Sequence, residues 1–166
     1  MSEPDSNKAR EVPRLRASII ARDAEGRVLI LEHIRPHGVY LVLPGGGVDR
    51  GETIEQAVIR EVREELDAHC EIERLVAVGE LFLPGRHVVD FFFSGSIETE
   101  GQFRIRHSEG IGEAAWVEID ELDEINFLPP EVIPVIKKLD EMETGEVEYL
   151  GRYRLSDRKV DSPDIV

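Results

Sequence analysis

The sequence predicts a mixed α/β fold in which one sheet lies between helices. Three observations carry that expectation. Short apolar runs suited to strands recur along the chain, an amphipathic helical pattern interrupts them at residues 53–66, and a second helical pattern follows at 130–143. A length of 166 residues suits one ordinary domain, long enough to bury a real core.

Residues 1–13 lack periodicity and read as a flexible tail before a domain at 14–144. Arg14 to Ala21 reads as a strand, and Asp23 to Arg27 as a turn into a second strand, Val28 to His33. Tyr40 to Leu43 is a short apolar segment stopped by Pro44 and by Gly45, Gly46 and Gly47. The helix from Thr53 to Leu66 opens with Thr53 and Gln56 at capping-box spacing. Strand-like runs return at Glu71 to Phe82, Val88 to Ile97 and Ala114 to Ile119. The second helix is predicted over Pro130 to Glu143, with Pro130 in its first turn and Ile133, Ile136 and Leu139 on one apolar face. Residues 145–166 form an extension, with an edge strand expected at Tyr149 to Leu155 and disorder after it.

Thirty-five acidic residues against 20 basic ones give a formal net charge of -15. Such a surface repels polyanions, so no nucleic acid partner is expected, and no apolar run is long enough for a membrane span. A small anionic substrate would need local help against that field, which a metal ion supplies. The single cysteine, Cys70, excludes an internal disulfide framework and suits a reducing compartment, so a cytoplasmic location is expected.

The first helix carries the chemistry. At 100° per residue, Ile54, Ala57, Val58 and Val62 make an apolar stripe, and Glu61 and Glu65 fall inside it. Glu64 lies at its edge, with Arg60 one turn earlier. Burying unpaired carboxylates costs several kcal/mol each, on the order of known desolvation penalties. Clustered carboxylates also raise one another's pKa. A divalent cation removes both costs, and all-oxygen ligation suits Mg²⁺ or Mn²⁺ better than Zn²⁺. The glycines ahead of the helix supply a backbone that a diphosphate can approach closely.

Gly46, Glu52 and the run Arg60-Glu61-Val62-Arg63-Glu64-Glu65-Leu66-Asp67-Ala68 resemble the box G-x5-E-x7-R-E-U-x-E-E-x-G-U of the Nudix (MutT-like) hydrolases, U being a bulky aliphatic. Two positions depart from it. Asp67 stands where the family has glycine, at a left-handed helix cap that Asp tolerates better than most residues, and Ala68 is a small final aliphatic. The resemblance extends over roughly residues 14–143, through the segments Trp116 to Leu122 and Phe127 to Pro130. It implies an α/β/α sandwich around a mixed β-sheet. It also implies metal binding by Glu61, Glu65 and Glu64 with the Gly45 carbonyl, orientation of the glutamates by Arg60, and support of the loop by Glu52. A general base is implied either within the box or on a later loop, where Glu113 is favoured over Glu109.

The resemblance implies cleavage of a phosphoanhydride bond in a small nucleotide, with a homodimer left open. Pro84, 16 residues after Ala68, and Arg35 in Leu31-Glu-His-Ile-Arg35 resemble the ADP-ribose branch, which favours ADP-ribose or a nucleotide sugar. Arg35, Gly46, Pro84 and Arg86 are the substrate-binding candidates. The alternative is a nucleoside triphosphate pyrophosphatase, although Val132 replaces the asparagine that reads oxidised guanine in that branch. A nucleotide sensor without catalysis is disfavoured because every box glutamate is present, and an isomerase because Cys70 lies outside the box.

Overall fold

The structure is a computed structural model that describes residues 12–36, 38–98, 102–105 and 110–153. The expected tail up to residue 11, the expected disorder after residue 153 and the candidate base Glu109 lie outside the described residues.

Nine strands and two α-helices are described: β1 (Arg14–Ala21), β2 (Val28–Arg35), β3 (Gly38–Val42), β4 (Gly45–Gly47), α1 (Ile54–Leu66), β5 (His69–Leu83), β6 (Arg86–Glu98), β7 (Ile111–Val117), β8 (Phe127–Leu128), α2 (Ile133–Lys137) and β9 (Glu148–Tyr153). The mixed α/β class holds. The strands divide between two sheets, ordered β4-β1-β6-β5-β9 and β7-β2-β3-β8, because a strand has only two edges to offer. β1 gives its edges to β4 and β6, whereas β2 gives its own to β3 and β7. Both sheets contain parallel and antiparallel pairs.

Together the sheets form a middle layer. One buried cluster joins Ala17, Ile19, Leu29 and Leu31 to Val58, Val62 and Leu66 of α1. A second joins Ile20, Ile30, Val88 and Phe92 to Ile133 and Ile136 of α2. Alternate residues of β1 thus enter opposite cores, as period-two geometry requires.

The helix expected over Pro130 to Glu143 is much shorter. A 3-10 turn spans Pro130–Val132, and the α-helix ends at Lys137. Pro134 has no N–H to donate, and carbonyls farther along accept from arginines instead. Arg22 reaches the Ile136 carbonyl, and Arg74 donates to the carbonyls of Leu139, Met142 and Glu143. The last strand expected before it ends early too, since Ile119 opens a 3-10 turn, Ile119–Asp123.

α1 follows its sequence signals closely. Gln56 N–H donates to the Thr53 hydroxyl, and Thr53 N–H donates to the Gln56 side chain, which closes the capping box. At the other end Asp67 takes φ 50° and ψ 42°, and its N–H donates to the Arg63 carbonyl at 3.1 Å.

Candidate active site

α1, β4 and the first residues of β1 meet at a cavity of about 150 Å³. Glu61 and Glu65 of α1, Gly45, Gly46 and Gly47 of β4, Arg14 and Arg16 of β1, His33 and Arg35 of β2, and Ile111 of β7 all line it. Acidic groups come from the helix and basic groups from the strands.

Glu65 is 3% exposed, and its Oε2 accepts the Gly45 N–H at 3.0 Å. Glu61 lies against Gly46, where a Cβ would stand 2.4 Å from the carboxylate, so only glycine permits this approach. Arg60 binds the surroundings together. It donates to Glu52 at 2.7 and 3.1 Å, to Glu61 at 2.8 Å, to Glu64 at 3.3 Å and to the Gly47 carbonyl at 2.8 Å. Bonding to Glu52, and secondarily to Glu61, raises the Arg60 pKa above its ordinary value. Arg60 in turn holds Glu52 below the ordinary carboxylate value, helped by the Asp49 N–H that Glu52 accepts at 2.7 Å. Burial, with Arg16 and Arg35 adding to it, pushes His33 down to about 3, and its Nε2 stands 3.7 Å from Glu65 Oε1.

Among the described residues no group of three or more His, Cys, Asp or Glu side chains is already gathered around one point as a metal cage. The donor chemistry nevertheless fits a hard divalent cation. Two carboxylates one turn apart enter the cavity, one of them buried, and the Cβ-free backbone at Gly46 leaves the Glu61 carboxylate room there.

A NUDIX domain family model matches residues 12–139 of this chain. The chain belongs to the Nudix family. Members generally use divalent metal ions. An NAD-capped RNA hydrolase, NudC, from Yersinia enterocolitica is 32% identical over 124 residues, which covers 74% of this chain and 45% of NudC. The chain therefore spans less than half the length of that curated relative. A Nudix hydrolase from Nitrosomonas europaea superimposes with a TM-score of 0.67 at 26% identity, covering 78% of this chain and 90% of that one. An ADP-ribose pyrophosphatase from Streptococcus suis shares the fold at 20% identity, with a TM-score of 0.63 and coverage of 83% and 99%.

Of the residues expected at the Nudix site, Glu61, Glu65, Gly45, Gly46 and Arg35 line the cavity, and Glu52, Arg60 and Glu64 form the hydrogen-bonded surround. Asp67 caps α1 away from it. Glu113 lines a different cavity of about 450 Å³, with Gln102, Phe103, Ile105, Ala114 and Trp116. Pro84 and Arg86 belong to the β5–β6 hairpin turn, outside the lining of the Glu61–Glu65 cavity. Arg14, Arg16 and His33 are site residues that the sequence reading missed. For the two arginines the signal was alternation: Arg14, Arg16 and Ser18 occupy every second position of a strand whose other face is apolar. No helix among the described residues is long and apolar enough to cross a membrane.

Proposed function

We propose that this Nudix protein hydrolyses the phosphoanhydride bond of a nucleoside diphosphate linked to a second moiety, with ADP-ribose or a nucleotide sugar as the favoured class and Mg²⁺ or Mn²⁺ as the metal. The observation that carries the proposal is the cavity itself, where two glutamates and three arginines meet in a chain of net charge -15. Carboxylates alone would repel a diphosphate, and arginines alone would leave no cation site. The two sets together suit a metal–diphosphate complex.

In this reading Glu61 and Glu65, with Glu64 beside them, hold the metal, and the Gly45 carbonyl adds an oxygen. The cation, when bound, neutralises phosphate charge and makes a bound water more acidic. Arg35 binds the diphosphate from the strand side. Arg60 keeps Glu61 and Glu64 together, since its Nη1 donates to both. Glu64 is the favoured proton acceptor for the attacking water, because Arg60 ties it to Glu61 beside the cavity, whereas Glu113 lines a separate one. Water adds to one phosphorus, the bridging P–O bond breaks, and the products are a nucleoside monophosphate and a phosphorylated remainder.

The curated relatives named NAD-capped RNA hydrolase support the same bond class, because NAD contains a diphosphate between two nucleosides. The charge of -15 favours free small molecules over a long RNA. A panel of ADP-ribose, nucleotide sugars, NAD, an NAD-capped oligonucleotide and nucleoside triphosphates, each incubated with Mg²⁺ and resolved by chromatography, tests this. Fast release of nucleoside monophosphate from ADP-ribose or a nucleotide sugar is the expected result. Faster release of pyrophosphate from triphosphates would replace it with the triphosphate reading.

A further inference from the structure

Arg16 occupies an unusual position for an arginine. It lines the cavity of Glu61 and Glu65, yet the residue is only 9% exposed. On its inner side it donates to the Ser18 hydroxyl at 3.2 Å, and its Nη1 lies 3.7 Å from Asp90 Oδ1. Asp90 is its register partner on β6 and is also buried, at 4% exposure. A buried ion pair of this kind is seldom retained for stability alone, since well-packed apolar side chains would serve as well or better. Burial raises the Asp90 carboxyl above its ordinary value despite the opposing pull of Arg16. The pair is therefore an energetic burden on the fold, placed where one end meets the cavity. A guanidinium has five N–H donors, and the contacts to Ser18 and Asp90 leave others for a phosphate.

The far side of Asp90 is closed by the last described strand. Asp90 pairs in register with Gly79 of β5, and a Cβ on Gly79 would stand 2.1 Å from the Tyr153 hydroxyl. Tyr153 is 1% exposed, and its hydroxyl has no hydrogen-bond partner among the described residues. Burial, with the Asp90 charge next in importance, raises the Tyr153 pKa, so the phenol keeps its proton. Gly47, Arg16, Asp90 and Gly79 thus form a row across β4, β1, β6 and β5, and Tyr153 of β9 covers its end. β9 begins at residue 148, beyond the family match at 12–139.

We infer that Arg16 is a substrate-binding residue that contacts the diphosphate, and that Asp90 is the positioning residue that holds its guanidinium at the cavity. This inference rests on the pyrophosphohydrolase reading for the chemistry of the anion. Direct binding of α,β-methylene-ADP, whose carbon bridge cannot be hydrolysed, tests it on the full chain with Mg²⁺ by titration calorimetry, apart from turnover. Arg16→Ala should weaken binding by about tenfold or more, the scale of a lost charge-assisted hydrogen bond. Asp90→Asn, which keeps the side-chain shape, should weaken it by severalfold. In turnover assays both should raise KM with kcat nearly unchanged. In an Arg16→Ala background, Asp90→Asn should add nothing, because its effect runs through the guanidinium. Additive losses, an unchanged Kd in Arg16→Ala, or no binding of the analogue by the wild type would overturn the inference. Protein that binds the analogue through Arg16 but hydrolyses nothing would overturn only the proposed reaction.

Discussion

Glu65 accepts the backbone N–H of Gly45 at 3.0 Å, a bond that ties the acidic helix to the glycine strand across twenty positions of sequence. One oxygen of a proposed metal ligand is thus already oriented by the backbone, and the other stays near His33 in the cavity. The helix and the glycine strand are a single unit.

Glu61→Gln and Glu65→Gln should each lower kcat by roughly a hundredfold or more, the scale expected when a metal loses an anionic ligand. Both variants should fold, because a neutral amide in place of Glu65 relieves a buried charge. Steady-state kinetics at saturating Mg²⁺, beside circular dichroism, checks this, and near wild-type turnover would remove these residues from the metal site.

Chelation should abolish activity, and added Mg²⁺ or Mn²⁺ should restore it. The rate should then rise toward alkaline pH, as more of the metal-bound water is deprotonated. A rate unaffected by exhaustive chelation would contradict the proposed chemistry.

Arg35→Ala should raise KM by about tenfold, equivalent to about 1.4 kcal/mol, with a smaller change in kcat. Arg35 lines the cavity, whereas Arg86 does not, so Arg86→Ala should leave KM where it is. Equal effects of the two substitutions would show that the hairpin also reaches the substrate.

Asp90→Asn should unfold at higher denaturant concentration than wild type at pH 7. The unfolded Asp90 titrates near 3.8, and burial lifts the folded value above that. The folded chain therefore binds more protons than the unfolded one between those values, and wild type loses stability as pH rises through them. The advantage of the variant should grow across that window, level off above it and vanish below about pH 3.8. Urea titrations across pH give the answer, and a variant less stable at pH 7 would refute it.

Asp67→Gly should stabilise the protein by about 0.5–1 kcal/mol, because only glycine takes a positive φ without steric cost. Activity should not change, since Asp67 caps the helix outside the cavity lining. A lower melting temperature would mean that the exposed pair with Arg104, at 3.6 Å, outweighs the backbone term.

Local chemistry was the legible part. The capping box of Thr53 and Gln56, the apolar stripe that pulls Glu65 inward and the left-handed cap at Asp67 all follow from residues within a few turns of one another. What was missed depends on distant partners. The carbonyls that end α2 early are taken by Arg22 and Arg74, 114 and 65 or more positions away. The division into two sheets depends on which strand reaches which edge, and no single strand records that choice. Arg16 read as one polar residue of a strand, because its meaning lies in Asp90, 74 positions later.

Gly79 adds a consequence for descent. The space it leaves is filled by a hydroxyl contributed from the far end of the chain. A relative that stops before a ninth strand has no such tyrosine to seat there, and this reason for glycine at the matching site is gone. Glycine at this site and a tyrosine-bearing C-terminal strand should therefore be gained and lost together across the lineage, whatever substrate each descendant has adopted.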